Sequence, residues 1–214
     1  MNKKMFFVSN GRCGTTRIQE ILNSHLDDSF TVVHQMKYSR IGNIIGNIFY
    51  IFGSNKKIKE KIFDSIINKY DTKINFISTD SLSAMLIPQK YINSNKVAIV
   101  HIVRASNDFA DSFIRFSKSR LKSIIAHNII PFWQIGIYPF ERMWNKNIKQ
   151  KYIKLNDVKN KWFEKNYSKN QNYVKINMQQ IFTNDNLENI VNKFFSTDIK
   201  ISEEELKTKS NETN

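Results

Sequence analysis

One segment near the start of the chain carries glycines and side chains suited to binding an anion. It reads Ser9-Asn10-Gly11-Arg12-Cys13-Gly14-Thr15-Thr16-Arg17. Its two glycines let the backbone curl so that successive N–H groups face one point, and the helix expected to follow adds partial positive charge there. The hydroxyls of Thr15 and Thr16 and the guanidinium groups of Arg12 and Arg17 can bind the same anion. The segment favours a phosphate or phosphosulfate ligand, with an ordinary tight turn bearing exposed arginines as the alternative.

Two other uses of such a loop are disfavoured by its residues. A nucleoside-triphosphate loop needs the pattern G-x-x-x-x-G-K-[ST], but Gly14 is followed by Thr15 and position 9 is not glycine. The lysine that would reach the terminal phosphates is therefore absent, which disfavours a kinase or GTPase. A phosphatase loop needs an arginine six residues after its cysteine, and Gln19 stands there. Cys13 is thus better interpreted as a small loop residue than as a nucleophile.

A second candidate segment begins where a continuous apolar run ends. Residues 97–103 are apolar apart from His101, as expected of a strand covered on both faces in a parallel sheet. Arg104 follows directly and needs an anionic partner or water, because a buried unpaired charge is costly. Ser112 lies eight residues later, in the first turns of the next predicted helix. Arg104 and Ser112 could bind one phosphate together; a local ion pair of Arg104 with Asp108 or Asp111 is the alternative.

The elements that would position these segments alternate between strand and helix. We predict strands over 5–9, 31–34, 74–79, 97–103 and 173–176, and helices after residue 17, over about 108–125 and over 187–195. Residues 40–70 read as helical or irregular, and 126–166 as mostly helical. This alternation predicts an α/β fold with a central parallel sheet flanked by helices. Ligands of such a sheet bind at the carboxyl ends of its strands, where both candidate segments lie.

Length and composition indicate one domain. The 214 residues, 41% of them hydrophobic, suffice for a single domain with a substantial core. We assign residues 1–200 to this domain and 201–214 to a polar tail that we expect to fray. The single cysteine excludes an internal disulfide and a multi-cysteine metal site. The sequence shows no signal-peptide core and no apolar run long enough to span a bilayer, so we expect a cytoplasmic protein.

The chain is strongly basic. It carries 33 Lys and Arg against 19 Asp and Glu, a formal net charge of +14. Such an excess suggests a polyanionic partner, such as a nucleotide, an acidic glycan, a nucleic acid or a membrane surface. A general enrichment in Lys, Asn and Ile explains it equally well, so the charge alone does not choose among functions.

Taken together, the two segments resemble the signature of the PAPS-dependent sulfotransferases. The 5′-phosphosulfate loop of that family follows patterns such as P-K-S-G-T-T or G-R-S-G-T-T, and residues 10–16 are similar with Cys13 in place of serine. The family's 3′-phosphate motif runs from an arginine that ends a strand to a serine eight residues later, as Arg104 and Ser112 do. Residues 173–181 resemble a late family strand. The resemblance does not extend through 40–70 or 120–165.

The resemblance implies a P-loop-like, phosphosulfate-binding loop, the donor 3′-phosphoadenylyl sulfate (PAPS) and no required metal. The 3′-phosphate would be held by Arg104 and Ser112, which separates this donor from ATP. Arg12, where many relatives have lysine, would stabilise charge as the sulfuryl bond breaks. The acceptor would be a hydroxyl or amine of a glycan, a lipid-linked sugar, a small molecule or a protein tyrosine, and no nucleic-acid partner is expected. The 5′-phosphosulfate would be held by Gly11, Arg12, Cys13, Gly14, Thr15 and Thr16.

The general base is the point at which the sequence departs from the family. Cytosolic members place a histidine after the third strand, where this chain has Ser81. The adjacent Asp80 is one candidate base. His34, at the end of the second predicted strand, is another, because an ordinary histidine pKa of about 6.5 suits proton abstraction near neutrality. A hydrogen-bonded histidine without catalytic role is the alternative for His34, and His101, inside a predicted buried strand, is interpreted as structural.

Several functions stay open on the sequence alone. The chain could be a catalytically impaired relative that binds nucleotides or polyanions, or a nucleotide or metabolite kinase with a degenerate loop. A nucleic-acid- or glycan-binding module would use the net positive charge instead. The aromatic segment 131–140 could form a lid, an acceptor wall or plain core. Residues 42–49 could border the acceptor site or touch lipid.

Overall fold

The computed structural model describes residues 2–53, 55–70, 74–118, 147–183 and 185–207. Its strands are β1 (Lys4–Val8), β2 (Phe30–Val33), β3 (Asn75–Ser78), β4 (Val97–Val103) and β5 (Tyr173–Asn177). They form one sheet with the order β2-β3-β1-β4-β5, and every neighbouring pair is parallel. Each strand end lies within one residue of the sequence prediction. The predicted α/β fold with a central parallel sheet is therefore confirmed.

Helices connect these strands and cover both faces of the sheet. Residues 40–70, predicted as helical or irregular, form two helices, and residues 84–86 form a short 3₁₀ turn. Residues 119–125 of the predicted helix over 108–125 and the aromatic segment 131–140 lie outside the described residues. Within the described part of the chain, no helix is both long and apolar enough to cross a bilayer. The helices are α1 (Thr15–His25), α2 (Ser39–Phe52), α3 (Lys56–Ile67), α4 (Gln89–Ile92), α5 (Ser106–Lys118), α6 (Ile148–Tyr167), α7 (Met178–Ile181), α8 (Asn186–Phe195) and α9 (Glu203–Lys207).

The central strand β1 shows how the two faces are covered. Successive side chains of a strand point to opposite faces, and every residue of β1 is buried. Met5 and Phe7 join a cluster with residues of α1 and α8, whereas Phe6 and Val8 join a second cluster with residues of α3 and α6. Burial on both faces explains why β1 and β4 read as nearly continuous apolar runs rather than as an alternating pattern.

Helix α6 packs over β4 and against α5. A third apolar cluster joins Phe109 of α5 to Tyr152 of α6. Beneath α6, the buried His101 contacts the hydroxyl of Tyr173 through Nδ1 at 2.8 Å and Oδ1 of Asn160 through Nε2 at 3.1 Å. Both ring nitrogens are thus engaged inside the fold, as expected of a histidine with a structural role.

The expectation of a fraying tail from residue 201 is wrong for its first part. Ile201 is buried, and residues 203–207 form α9, whose Leu206 is also buried in the cluster beside α1. Ser202 and Glu205 hydrogen-bond to each other at the start of α9. Two apolar side chains in an otherwise polar stretch are therefore enough to fix this segment against the domain.

Candidate active site

The loop between β1 and α1 has the backbone conformation of an anion-binding turn. Gly11, Arg12 and Gly14 have positive φ angles of 81°, 54° and 74°. A Cβ atom on Gly14 would lie 2.7 Å from Cε2 of Phe182, so any larger residue there would clash as well as be strained. Gly14 is the N-cap of α1, and no described side chain caps that helix end. The amides of the first turn of α1 therefore face the loop, as they do where helices bind phosphate.

The side chains of this segment divide into those that face the loop and those that do not. Thr16 is exposed, whereas Thr15 and Cys13 are buried. The thiol of Cys13 contacts the carbonyl oxygen of Gly11, and burial raises the pKa of that thiol to about 12. A cysteine that stays protonated is a poor nucleophile, in agreement with its interpretation as a small loop residue.

Arg17 does not point toward the anion loop, contrary to the expectation from sequence. Its guanidinium lies 5.4 Å from the ring centre of Phe182 and donates a hydrogen bond to the main-chain carbonyl of Glu205. The side chain is buried on the side of α1 that contacts α9. Of the two arginines in the segment, Arg12 is the one available to the site.

The second candidate segment meets the first. Arg104 follows β4, and its Nη1 donates to the main-chain carbonyl of Arg12 at 2.6 Å. Ser112 lies on α5, and its hydroxyl accepts a hydrogen bond from Nε of Arg12 at 3.4 Å. Asp111, one of the two alternative partners of Arg104, binds Lys149 at 2.8 Å instead. The chain therefore brings Arg12, Arg104 and Ser112 together at the carboxyl edge of the sheet.

A cluster of asparagines, which was not predicted from the sequence, connects both candidate segments to α6 through hydrogen bonds. Nδ2 of Asn10 donates to Oδ1 of Asn156 at 2.8 Å and to Oδ1 of Asn160 at 3.1 Å. The amide nitrogen of Asn156 in turn donates to the carbonyl of Arg104 at 2.9 Å and to the hydroxyl of Ser106 at 3.0 Å. The buried Asn156 thus joins the loop after β1 to the segment after β4.

Replacing Asn156 with alanine should lower the free energy of unfolding by about 2–3 kcal/mol, because buried polar groups on both segments would lose their partner. The same change should weaken binding of any ligand held by both segments. Asn166→Ala is the matched control on α6, since among the described residues the side chain of Asn166 bonds to the carbonyl of Trp162 in its own helix. Urea unfolding of both variants checks the prediction; equal destabilisation by the two changes would contradict it.

His34 lies beside the loop, held by two threonines. Its Nε2 is 2.9 Å from the hydroxyl of Thr16, and its Nδ1 is 3.1 Å from the hydroxyl of Thr79 after β3. Partial burial lowers the pKa of His34 below its ordinary value. The imidazole is therefore neutral at physiological pH and able to accept a proton. Its contact with the exposed Thr16 places it next to the predicted phosphosulfate loop.

The carboxylate of Asp80, the other candidate base, is directed into the turn formed by residues 80–83. The carboxylate is buried, its Oδ1 accepts from the amide of Leu82 at 2.9 Å and its Oδ2 accepts from the hydroxyl of Ser83 at 2.8 Å. Burial raises the pKa of Asp80 to about 6. With both oxygens engaged by the turn, Asp80 is better placed to hold residues 80–83 in position than to take a proton from a substrate.

The raised pKa of Asp80 makes a testable link between stability and pH. An unfolded aspartate has a pKa of about 3.9, so the folded state favours the protonated form, and the resulting stability is lost as the pH rises through about 6. Between pH 4 and pH 7, wild type should lose about 2 kcal/mol of unfolding free energy relative to Asp80→Asn. Urea denaturation of both proteins across that range measures the difference. A difference that is independent of pH would contradict this account of Asp80.

Comparison with known proteins leaves the function to be argued from this geometry. No protein-family model matches the sequence, and no curated protein matches it. Among solved structures, the chain is similar to a sulfotransferase from Alicyclobacillus acidocaldarius, with 12% sequence identity and a TM-score of 0.48. The match covers 92% of this chain and 82% of that one. Such values carry no argument about the reaction.

Proposed function

We propose that this protein is a sulfotransferase that moves a sulfuryl group from PAPS to a hydroxyl or amine of an acceptor. The observation that carries the proposal is the meeting of the two candidate segments. The residues assigned to the 5′ end of the nucleotide and those assigned to its 3′ end contact each other through Arg12. Two separate anion sites would be expected to lie apart or to face different directions; these share one edge of the sheet.

The 5′ part of the donor fits the loop after β1. Gly11, Arg12 and Gly14 have positive φ angles, and α1 begins there without a described side-chain cap. Together with the hydroxyl of the exposed Thr16, the main-chain amides of this loop form a concave group of donors. Such a group binds a phosphosulfate through main-chain amides and the helix dipole. Because the loop lacks lysine, its full positive charge comes from Arg12.

The 3′-phosphate fits Arg104 and Ser112. Their side chains lie on the segment after β4 and on α5, both within hydrogen-bond distance of Arg12. The contact between Arg12 and Ser112 is long at 3.4 Å, so a phosphate oxygen could displace it at little cost. A nucleotide with a 3′-phosphate would use both groups, and one without it would leave Arg104 and Ser112 without that partner.

The remaining residues supply the proton transfer and the charge. The bound donor would bring a sulfuryl group already activated on its 5′-phosphate. The neutral imidazole of His34 would accept the proton of the acceptor, with Thr79 fixing the ring at Nδ1. The guanidinium of Arg12 stays charged and would stabilise negative charge on the departing phosphate oxygen. Asp80 would hold the turn beside the loop.

The proposal is tested by thermal stabilisation with adenosine 3′,5′-bisphosphate, compared with ADP and AMP. At a concentration about 100 times its Kd, a ligand adds about 2.7 kcal/mol, or roughly 5–10 °C in Tm for a chain of this size. We expect the bisphosphate to stabilise and ADP and AMP to have much smaller effects. Stabilisation by ADP with Mg²⁺ would favour a kinase instead, and salt-sensitive binding of any polyanion would favour a binding module.

Arg104→Ala should weaken binding of the bisphosphate by roughly 10- to 100-fold, because a charge-assisted hydrogen bond contributes on the order of 1.5–3 kcal/mol. Binding of AMP, which lacks the 3′-phosphate, should change much less. Arg115→Ala, an exposed arginine on the same helix as Ser112, is the matched control. Calorimetric titration measures all of these affinities. Unchanged affinity of the Arg104→Ala protein for the bisphosphate would contradict the assignment of Arg104 to the 3′-phosphate.

A further inference from the structure

Helix α2 carries large apolar side chains on its outer side. Ile41 is 54% exposed and Phe52 is 69% exposed. Ile44 and Ile48, both partly exposed, lie between them. The spacing of 3, 7 and 11 residues from Ile41 places all four side chains on one face of the helix. An exposed apolar stripe of this kind marks a surface that contacts something other than water.

The opposite side of α2 packs on the domain, where small and polar residues stand beside the partly buried Ile45, Phe49 and Tyr50. Asn43 and Asn47 are buried, and Gly42 and Gly46 lie against the turn at residues 84–86. A Cβ atom on Gly42 would be 3.1 Å from Leu86, and one on Gly46 would be 3.0 Å from Met85. A larger side chain at either glycine would force its neighbour to shift, so the close packing of this side holds the helix in an orientation that leaves Ile41, Ile44 and Ile48 on the outside.

Two further exposed apolar residues lie near the two ends of α2, in the hairpin that α2 forms with α3. Tyr38, just before α2, is 48% exposed, and Ile58, in the first turn of α3, is 51% exposed. Near one end, Nζ of Lys69 lies 4.4 Å from the ring centre of Tyr38. Near the other end, Lys56 and Lys57 are exposed beside Ile58. Cationic side chains therefore flank the apolar residues at both ends.

The hairpin of α2 and α3 is basic on balance, since residues 39–67 carry five Lys or Arg against Glu60 and Asp64. Residues 29–59 contain no Asp or Glu but contain five Lys or Arg. Of the acidic residues on α3, Asp64 is already bound by Lys90 and by the hydroxyl of Tyr91. An apolar surface framed by basic side chains is complementary to a bilayer that carries anionic headgroups.

We infer that the hairpin of α2 and α3 docks on the surface of a membrane containing anionic lipids. The isoleucines and Phe52 enter the boundary between headgroups and acyl chains, while the lysines contact the anionic headgroups. A second copy of this chain on the same face would place lysines against lysines, and a nucleic acid would leave the isoleucines without an apolar partner. The bilayer is the partner that uses both features.

This docking does not depend on the proposed reaction, but it bears on the acceptor. Helix α2 begins five residues after His34, so its first turn lies next to the carboxyl edge of the sheet. A bilayer on the hairpin would bring membrane-attached acceptors close to the candidate base. An acceptor carried on a lipid would then reach the site without leaving the membrane.

The test is co-sedimentation of the full chain with vesicles of phosphatidylcholine, with and without phosphatidylglycerol. Wild type should bind the anionic vesicles, bind the neutral ones at least about tenfold more weakly, and lose affinity as salt increases. Ile41→Ser combined with Phe52→Ser should lower the partition coefficient for anionic vesicles about tenfold or more. Lys56→Glu combined with Lys57→Glu should lower it about 30-fold or more.

The matched control reverses two exposed lysines on the other face of the sheet. Lys193→Glu with Lys200→Glu changes the net charge equally but should leave binding within about threefold of wild type, because charges distant from a membrane are screened. All substitutions are at exposed positions, and unchanged thermal unfolding verifies the fold. The inference is overturned if wild type does not bind anionic vesicles, or if the control substitutions weaken binding as much as the hairpin substitutions do. It is also overturned if the protein is a dimer in solution that Ile41→Ser dissociates.

Discussion

His34→Ala should lower the rate of sulfuryl transfer by about 100- to 10,000-fold, the range typical of a lost general base. Nε2 of His34 contacts Thr16 on the side of the loop, and Nδ1 contacts Thr79, which fixes the orientation of the ring. Without the imidazole, water is the remaining proton acceptor near the acceptor group. Affinity for adenosine 3′,5′-bisphosphate should change little, because His34 is assigned to the proton and not to the nucleotide.

The measurement is the rate at which adenosine 3′,5′-bisphosphate is released from PAPS in the presence of phenolic and sugar acceptors. In wild type, kcat/KM should fall as the pH drops through the pKa of His34, which burial places below the ordinary histidine value. His25→Ala is the matched control, since His25 lies at the far end of α1 and contacts Glu205. Full activity in His34→Ala combined with loss of activity in Asp80→Asn would move the base to Asp80.

Arg12→Ala should lower kcat by about 100- to 1,000-fold, the cost of removing a group that stabilises charge in the transition state. Arg12→Lys should recover most of that loss, because lysine keeps the positive charge at the same place. Both variants place a Cβ atom on a residue with a φ of 54°, so they share any backbone strain and differ only in the side chain. The comparison therefore isolates the charge.

Single-turnover rates and bisphosphate affinity should both be measured for the two Arg12 variants. If Arg12 stabilises charge in the transition state, Arg12→Ala should lower kcat by a larger factor than it lowers the affinity for the bisphosphate. Equal activity of the alanine and lysine proteins would show that the charge of Arg12 has no part in the reaction. Arg12 would then serve mainly through its main-chain carbonyl, which Arg104 binds.

The sheet and the meeting of the two segments could be predicted because both follow from local patterns and a general rule. Short runs rich in apolar and β-branched residues, separated by glycine-bearing or polar turns, define the strands. Parallel strands bring their carboxyl ends to one edge, so Arg12 and Arg104 had to lie on the same side once both strands were placed. Neither step needed a long-range side-chain contact.

The features of the site that could not be predicted from sequence depend on contacts between side chains that are distant in the chain or on the direction in which a side chain points. Asn156 and Asn160 are one turn apart on α6, a spacing that many exposed helices share, and nothing local marks them as partners of Asn10. The direction of Arg17 depends on Phe182, which comes from a distant element. The same holds for Asp80, whose carboxylate closes a turn of its own chain instead of facing the loop.

The membrane-facing hairpin illustrates the opposite situation, in which a sequence pattern misleads if taken alone. A helix with isoleucines on one side and glycine and asparagine on the other would ordinarily bury the isoleucines. In α2, Ile41, Ile44 and Ile48 lie outside, because Gly42 and Gly46 allow close approach to Leu86 and Met85, with Ile45 and Phe49 packed beside them. Which side of an amphipathic helix is inside is decided by the surface it packs on.

The most direct test of the central claim is a crystal structure of the protein with adenosine 3′,5′-bisphosphate. We expect the 5′-phosphate on the main-chain amides of residues 11–16 and the 3′-phosphate in contact with Arg104 and Ser112, with the hydrogen bond between Arg12 and Ser112 broken. A bisphosphate bound elsewhere, or bound through one of the two segments alone, would contradict the claim that both hold a single nucleotide.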